Sequence, residues 1–170
     1  MKRVGEVLCV HRYSGSMDGK AGVAIGVYYA LLSLLIASQQ SAAPAALYEG
    51  VAATVSLQVG TVMFCVGQAG NFWHHWLLAN MRSGSSKGAA TVYSVPSGGM
   101  FNLVTMPHYF FESMAWFGIA AVTQQLNAVL VAVGVTSYLS GRAVATTTWY
   151  KSKFGNQWPV ERRHLVPYIF

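Results

Sequence analysis

Residues 96–118 combine groups that can carry out chemistry with a strongly apolar background. If this stretch is helical, His108, Glu112 and Trp116 follow one another every four residues on one face, with Tyr109 close by. A carboxylate at membrane depth costs about 2.5 kcal/mol or more, so it usually faces a cavity or a partner. The spacing therefore predicts a buried acid, an imidazole and a phenol at one catalytic site. The alternative is a kinked helix in which Glu112 is merely paired with a neighbour.

A second candidate site lies in GNFWHHWLLANMR, residues 70–82. Asn71, His75 and Arg82 are spaced by four and seven residues, which places them within about 40° of one another on a helix. An amide, an imidazole and a permanent positive charge can together hold phosphate groups. The stripe suits an anionic cofactor. The alternative is an interfacial helix with a snorkelling arginine and a belt of tryptophans.

The C-terminal part carries a third candidate site. Arg142, Thr146 and Tyr150 would share one face of a helix. Four basic residues follow: Lys151, Lys153, Arg162 and Arg163. Such a cluster favours anionic lipid headgroups, and the phosphates of a cofactor are the alternative.

The composition indicates where these groups must lie. The chain has 170 residues, of which 54% are hydrophobic and only 9% charged, whereas a soluble domain carries about 25% charged residues. This predicts an all-α, multi-pass membrane bundle. The net charge of +6 does not predict a nucleic-acid partner, because the basic residues flank apolar segments. The two cysteines have no metal-like spacing, so no metal site is predicted.

Four apolar segments are candidates for membrane spans: 21–38, 51–70, 100–123 and 126–141, the last continuing to about residue 150. The stretch 71–99 is expected to be amphipathic and then loop-like. All eleven Lys and Arg residues lie in the N-terminal segment, in 71–99 or after Gly141. The positive-inside rule therefore predicts that both termini are cytosolic.

Three stretches together resemble the C-terminal domain of the steroid 5α-reductase superfamily. They are GNFWHHWLLANMR, YSVPSGGMFNLVTMPHYFFESMAWFG and WYKSKFGNQWPVERRHLVPYIF. Two more resemble the very-long-chain trans-2-enoyl-CoA reductase branch: KRVGEVLCVHRYSG at 2–15 and WFGIAAVTQQL at 116–126. The likeness is ordered along nearly the whole chain, so residues 1–170 are interpreted as one membrane domain.

The resemblance implies an NADPH-dependent reductase of the endoplasmic reticulum membrane. It would reduce the trans-2 double bond of long-chain enoyl-CoA in the last step of fatty-acid elongation. The lipid bilayer and other elongation enzymes would be its partners. Two alternatives are a reductase of steroid or polyprenol enones and a catalytically inactive scaffold of the elongation complex.

The resemblance also assigns roles to individual residues. The catalytic residues would be Tyr109 and Glu112. The residues at or near the cofactor would be Asn71, His75, Arg82, Tyr93, His108, Trp116, Arg142 and Tyr150.

The chain departs from the family pattern in three ways. A histidine is usual just before the final tyrosine, where this chain has Thr146 and Thr147. Asparagine is usual before the catalytic tyrosine, where this chain has His108. The ubiquitin-like part that precedes this domain in family members is absent from the sequence, which is therefore expected to be a fragment or a shortened protein. The threonines predict weaker binding of NADPH.

Overall fold

The computed structural model describes residues 19–81 and 94–170. Within these ranges the chain forms four long helices: α1 (Gly19–Ala42), α2 (Gly50–Met81), α3 (Pro107–Thr123) and α4 (Leu126–Phe154). Short 3-10 turns lie at Ala45–Tyr48, Gly99–Asn102 and Gly155–Gln157. The one extended pairing described is an isolated parallel bridge between Val104 and Arg163. The predicted all-α class is confirmed.

Two predicted boundaries were wrong. The segment 51–70 and the start of the stretch 71–99 form one continuous helix of 32 residues, α2. The third span was predicted from residue 100, but α3 begins at Pro107. The predicted continuation of the fourth segment to about residue 150 is confirmed, because α4 extends to Phe154.

Pro107 explains the late start of α3. It occupies the first turn of the helix, where a backbone N–H group would have no hydrogen-bond partner within the helix. A proline also disfavours helical backbone at the preceding residue, and Met106 has φ −127° and ψ 63°. Pro107 therefore begins α3 and does not interrupt a longer helix.

Two helices are long and apolar enough to cross a membrane. They are Gly50–Met81, with a hydropathy of 1.6, and Leu126–Gln157, which is α4 with the turn after it, with a hydropathy of 1.5. Large apolar side chains on both point outward, such as Val51 at 83% exposure and Leu126 at 73%. This surface suits lipid, so the molecule has the character of a helical membrane protein. Four crossings and cytosolic termini remain predictions.

Helices α2 and α3 run in opposite directions, because Gly60 contacts Gly118 whereas Gly67, which is later in the chain, contacts the earlier Ala115. Helices α2 and α3 meet backbone to backbone. A methyl group added to Gly60 would lie 2.7 Å from the carbonyl oxygen of Gly118, and one added to Gly67 would lie 2.7 Å from the backbone nitrogen of Ala115. Small residues permit this approach, as in many membrane helix pairs.

Helices α1 and α4 pack against the other side of α3 through small and branched side chains. The buried cluster there consists of Ile36, Ala120, Ala128 and Ala132. Trp116 packs against its edge.

The C-terminal segment holds the entrance to α3. The N–H of Thr105 donates to the carbonyl oxygen of Arg163 at 2.8 Å, and the N–H of Met106 donates to that of His164 at 3.2 Å. Leu165, which is 2% exposed, packs with Met106. These contacts fix the backbone immediately before Pro107.

Candidate active site

The first two turns of α3 place the predicted acid, imidazole and phenol together. His108 is 4% exposed and Glu112 is 7% exposed, whereas Tyr109 and Trp116 are half-buried. Since His108 and Glu112 are one helical turn apart, both point into the bundle.

Glu112 has a partner on α1 that the sequence did not predict. The hydroxyl of Tyr29 donates a hydrogen bond to Glu112 Oε1 at 2.9 Å. The ring of Tyr29 stacks on Trp116 with 6.1 Å between centroids and 21° between planes. A tyrosine in an apolar helix was the available signal, but nothing in its spacing indicated its partner.

Aromatic and imidazole rings connect α2 to the start of α3. The rings of His75 and His108 have centroids 4.7 Å apart. His108 in turn contacts the ring of Tyr109 at 4.5 Å. His75, which was predicted from its spacing, therefore lies in the same cluster as the predicted catalytic tyrosine.

Tyr109 also meets α4. The guanidinium group of Arg142 lies close enough to the Tyr109 hydroxyl for the two groups to interact electrostatically. Arg142 itself is exposed, so its charge is accessible to a ligand. This contact joins the first candidate stretch, residues 96–118, to the third, which begins at Arg142.

Asn71 is directed at protein backbone. Its side-chain Nδ2 donates to the carbonyl oxygen of His108 at 2.8 Å, and the residue is 2% exposed. The predicted shared face of Asn71 and His75 exists on α2, but this bond gives Asn71 a role in holding α3.

His74, which the sequence did not single out, is a structural residue. Its Nδ1–H donates to the carbonyl oxygen of Gly70 at 2.7 Å, and its Nε2 accepts from the N–H of Met100 at 3.1 Å. Gly99 has φ 51°, and a methyl group there would lie 2.9 Å from His74 Nε2. A glycine is therefore required in this turn, which leads the chain toward α3.

The remaining predicted residues are less closely connected to this cluster. Arg82 and Tyr93 lie outside the described residues, so their roles remain predictions. Tyr150 is buried and stacks on Trp158, with centroids 5.1 Å apart. Thr147 is fully buried and bonds to Thr105 Oγ1 at 2.9 Å, whereas Thr146 is only half-buried.

The predicted basic cluster divides into two parts. Lys151, Lys153 and Arg163 are exposed. Arg162 is 7% exposed, and its guanidinium packs over Trp158 and donates to the carbonyl oxygen of Pro96 at 2.9 Å. Burial lowers the pKa of Arg162 from its usual value. Arg162 is therefore a structural anchor and not part of an exposed binding surface.

The comparisons with known proteins agree with this architecture. The family model for 3-oxo-5-alpha-steroid 4-dehydrogenase matches residues 21–170. The chain is 32% identical over 116 residues to steroid 5-alpha-reductase DET2 of Solanum lycopersicum, which covers 68% of this chain and 43% of that protein. It is 32% identical over 112 residues to 3-oxo-5-alpha-steroid 4-dehydrogenase 1 of Homo sapiens, covering 66% of this chain and 41% of that protein.

A relative from the other branch is also similar. The very-long-chain enoyl-CoA reductase of Dictyostelium discoideum is 28% identical over 111 residues, covering 65% of this chain and 36% of that protein. The chain spans less than half the length of each of these relatives. Because the family match covers nearly all of its residues, the chain belongs to the 3-oxo-5-alpha-steroid 4-dehydrogenase family.

Proposed function

We propose that this chain carries the reducing site of an NADPH-dependent enzyme that saturates a carbon–carbon double bond conjugated to a carbonyl group in a lipid. The observation that carries this proposal is the position of Tyr109. Its phenol lies beside a buried imidazole, one turn from the buried Glu112, and within reach of the Arg142 guanidinium. A proton donor held in this way suits a reaction that places negative charge on a carbonyl oxygen.

The residues present fit the cofactor that the resemblance implies. Arg142 offers an exposed positive charge for a phosphate, and the half-buried His75 offers a further polar group at the same end of the bundle. Arg82 is proposed as a second phosphate ligand on the resemblance alone. When bound, NADPH supplies a hydride to the β-carbon of the substrate.

The protein residues then manage the proton and the charge. As negative charge develops on the carbonyl oxygen and the α-carbon, Tyr109 donates a hydrogen bond and delivers the proton that completes the saturated product. Arg142 stabilises the charge left on the phenol oxygen. Glu112, in a low-dielectric setting, orients its polar neighbours.

The substrate class is the finer part of the proposal. The comparisons favour a 3-oxo-4-ene steroid, because the relatives above 30% identity carry steroid reductase names. A long-chain trans-2-enoyl-CoA is the second candidate, with the elongation enzymes as partners. It is supported by Tyr109, which matches the catalytic tyrosine of that branch, and by the similarity to the Dictyostelium enzyme.

The test is NADPH oxidation by membranes that contain the protein, with steroid enone, enoyl-CoA or no lipid substrate. Tyr109→Phe should lower turnover about 10²–10⁴-fold while NADPH still binds. Tyr168→Phe, at a residue that is 78% exposed, is the matched control. Turnover of only one of the two lipids identifies the substrate class. If wild type turns over neither substrate but co-purifies with elongation enzymes, the scaffold alternative replaces this proposal.

We further propose an endoplasmic reticulum membrane protein with four crossings and cytosolic termini, as the distribution of charges predicts. A glycosylation acceptor inserted beside Pro44 should be modified, and one inserted beside Ser85 should not. The reverse pattern would invert the orientation and place Arg142 and Tyr109 toward the lumen.

A further inference from the structure

Tyr29 contacts two residues of the candidate site on α3. Its hydroxyl donates to Glu112 Oε1 at 2.9 Å, and its ring stacks on Trp116. Glu112 and Trp116 are one helical turn apart, so Tyr29 lies along the same face of α3.

Burial gives the hydrogen bond its importance. Glu112 is 7% exposed, and a carboxyl group out of water needs donors that replace its hydration. A phenol is well suited to this position, because its ring is stable among apolar groups and its hydroxyl supplies the donor. Stacking on Trp116 fixes the ring plane and therefore the direction of the hydroxyl.

We propose that Tyr29 is a positioning residue, which holds the Glu112 carboxylate in the orientation that the reduction requires. The inference rests on the proposed function, in which Glu112 orients the polar groups beside Tyr109. The carboxyl group of Glu112 is connected to the backbone of α3 through a flexible side chain. The bond from Tyr29 therefore restrains the carboxyl end of a side chain whose other end is fixed by the helix.

The first test is Tyr29→Phe, which retains the ring and its stacking but removes the donor. We expect kcat to fall about 10- to 100-fold, as for the loss of a hydrogen bond to a charged group. The Kd for NADPH and the melting temperature should stay near wild type. Tyr28→Phe is the matched control, because Tyr28 is the adjacent residue on α1 and is 51% exposed.

If Tyr29 served only to anchor α1, the result would be different. In that case Tyr29→Phe would lower the melting temperature and leave the kcat of the folded fraction unchanged. That outcome would overturn the inference.

A double-mutant cycle asks whether Tyr29 acts through Glu112. Glu112→Gln removes the charge but retains an oxygen that can accept a hydrogen bond. If Tyr29 works by orienting the carboxylate, Tyr29→Phe in the Glu112→Gln background should change kcat less than about twofold. If the two losses multiply, Tyr29 acts independently of Glu112 and the inference is wrong.

An infrared measurement separates this inference from the proposed function. The difference spectrum between wild type and Glu112→Gln isolates the carboxyl bands of Glu112 without any turnover. We expect those bands to shift when both proteins also carry Tyr29→Phe, and not when both carry Tyr28→Phe. Unchanged bands overturn the inference, whereas a wild type that turns over no substrate overturns the proposed function.

Discussion

Helix α3 meets two of its neighbours, α2 and α1, in contrasting ways. Against α2 the contact is between backbones, through Gly60, Gly67 and Gly118. Against α1 the contact is between side chains, and it includes the bond from Tyr29 to Glu112. The α2 interface therefore has no room for an added methyl group at these glycines, whereas the exposed Gly26 of α1 has nothing within 4 Å of such a group.

This difference shows how the imidazole rings and the acid of the candidate site are held in place. Backbone contact fixes the height of α3 relative to α2, and with it the ring contact of His75 with His108. A side-chain hydrogen bond instead fixes only the group that it reaches, here the carboxylate of Glu112. The positions of the rings are a property of helix packing, whereas the orientation of the acid depends on side-chain contacts such as the bond from Tyr29.

The largest effect is expected at the α2 interface. In Gly67→Ala the new methyl group would lie 2.7 Å from backbone atoms of Phe111 and Ala115, which cannot rotate aside. We expect a loss of about 3 kcal/mol or more in the free energy of unfolding, at the upper end of overpacking costs. Thermal unfolding in detergent would measure it.

Gly26→Ala is the matched control on α1. The exposed methyl group meets nothing there, and a glycine replaced within a helix gains about 0.5–1 kcal/mol. The two substitutions should therefore have opposite signs. Equal effects would contradict the close backbone contact between α2 and α3.

The polar link between α2 and α3 should have the next largest effect. Asn71→Ala leaves the buried carbonyl oxygen of His108 without this donor, at a cost of about 1–3 kcal/mol in unfolding free energy. Asn156→Ala, at an exposed position in the turn after α4, should be near neutral. If Asn71→Ala weakens NADPH binding but leaves the melting temperature unchanged, Asn71 serves the cofactor and not the helix pair.

Thr146 and Thr147 provide a similar comparison on α4, between a half-buried and a fully buried position. Thr147 is fully buried against Thr105, so Thr147→His should overpack the site and cost about 1–3 kcal/mol in stability. Thr146 is half-buried, so Thr146→His should fold and tighten NADPH binding about fivefold, because it restores an imidazole typical of the family. Titration of NADPH fluorescence would measure the gain. Tighter binding by Thr147→His instead would reverse this assignment of the two threonines.

The smallest effect concerns the C-terminal segment that holds the start of α3. Burial, followed by the nearby charges of Lys151 and Arg163, lowers the pKa of His164 in the folded protein. The unfolded chain therefore takes up this proton first, and the contribution of His164 to stability is lost as the pH falls below about 6.5. Melting temperatures between about pH 8 and pH 5 should show a small decline that His164→Gln reduces. An identical decline in both proteins would exclude His164 as its cause.

Local sequence correctly predicted which residues of α3 share a face. The spacing of His108, Glu112 and Trp116 predicted one shared face, because helical periodicity relates residues within a few turns. The apolar segments likewise predicted four helices. The predicted start of α3 was seven residues too early, because the apolar run begins at residue 100 whereas Pro107 disfavours helical backbone just before it.

Only the tertiary structure decided which groups meet across helices. Tyr29 bonds to a residue 83 positions away, and Arg142 reaches Tyr109 from a separate helix. Arg162, which the sequence placed in a basic surface, is buried against Pro96 and Trp158. The physical reason is that periodicity gives the face on which a side chain lies but not the height or the angle of the neighbouring helix. Those depend on close contacts such as the ones that glycines allow between α2 and α3.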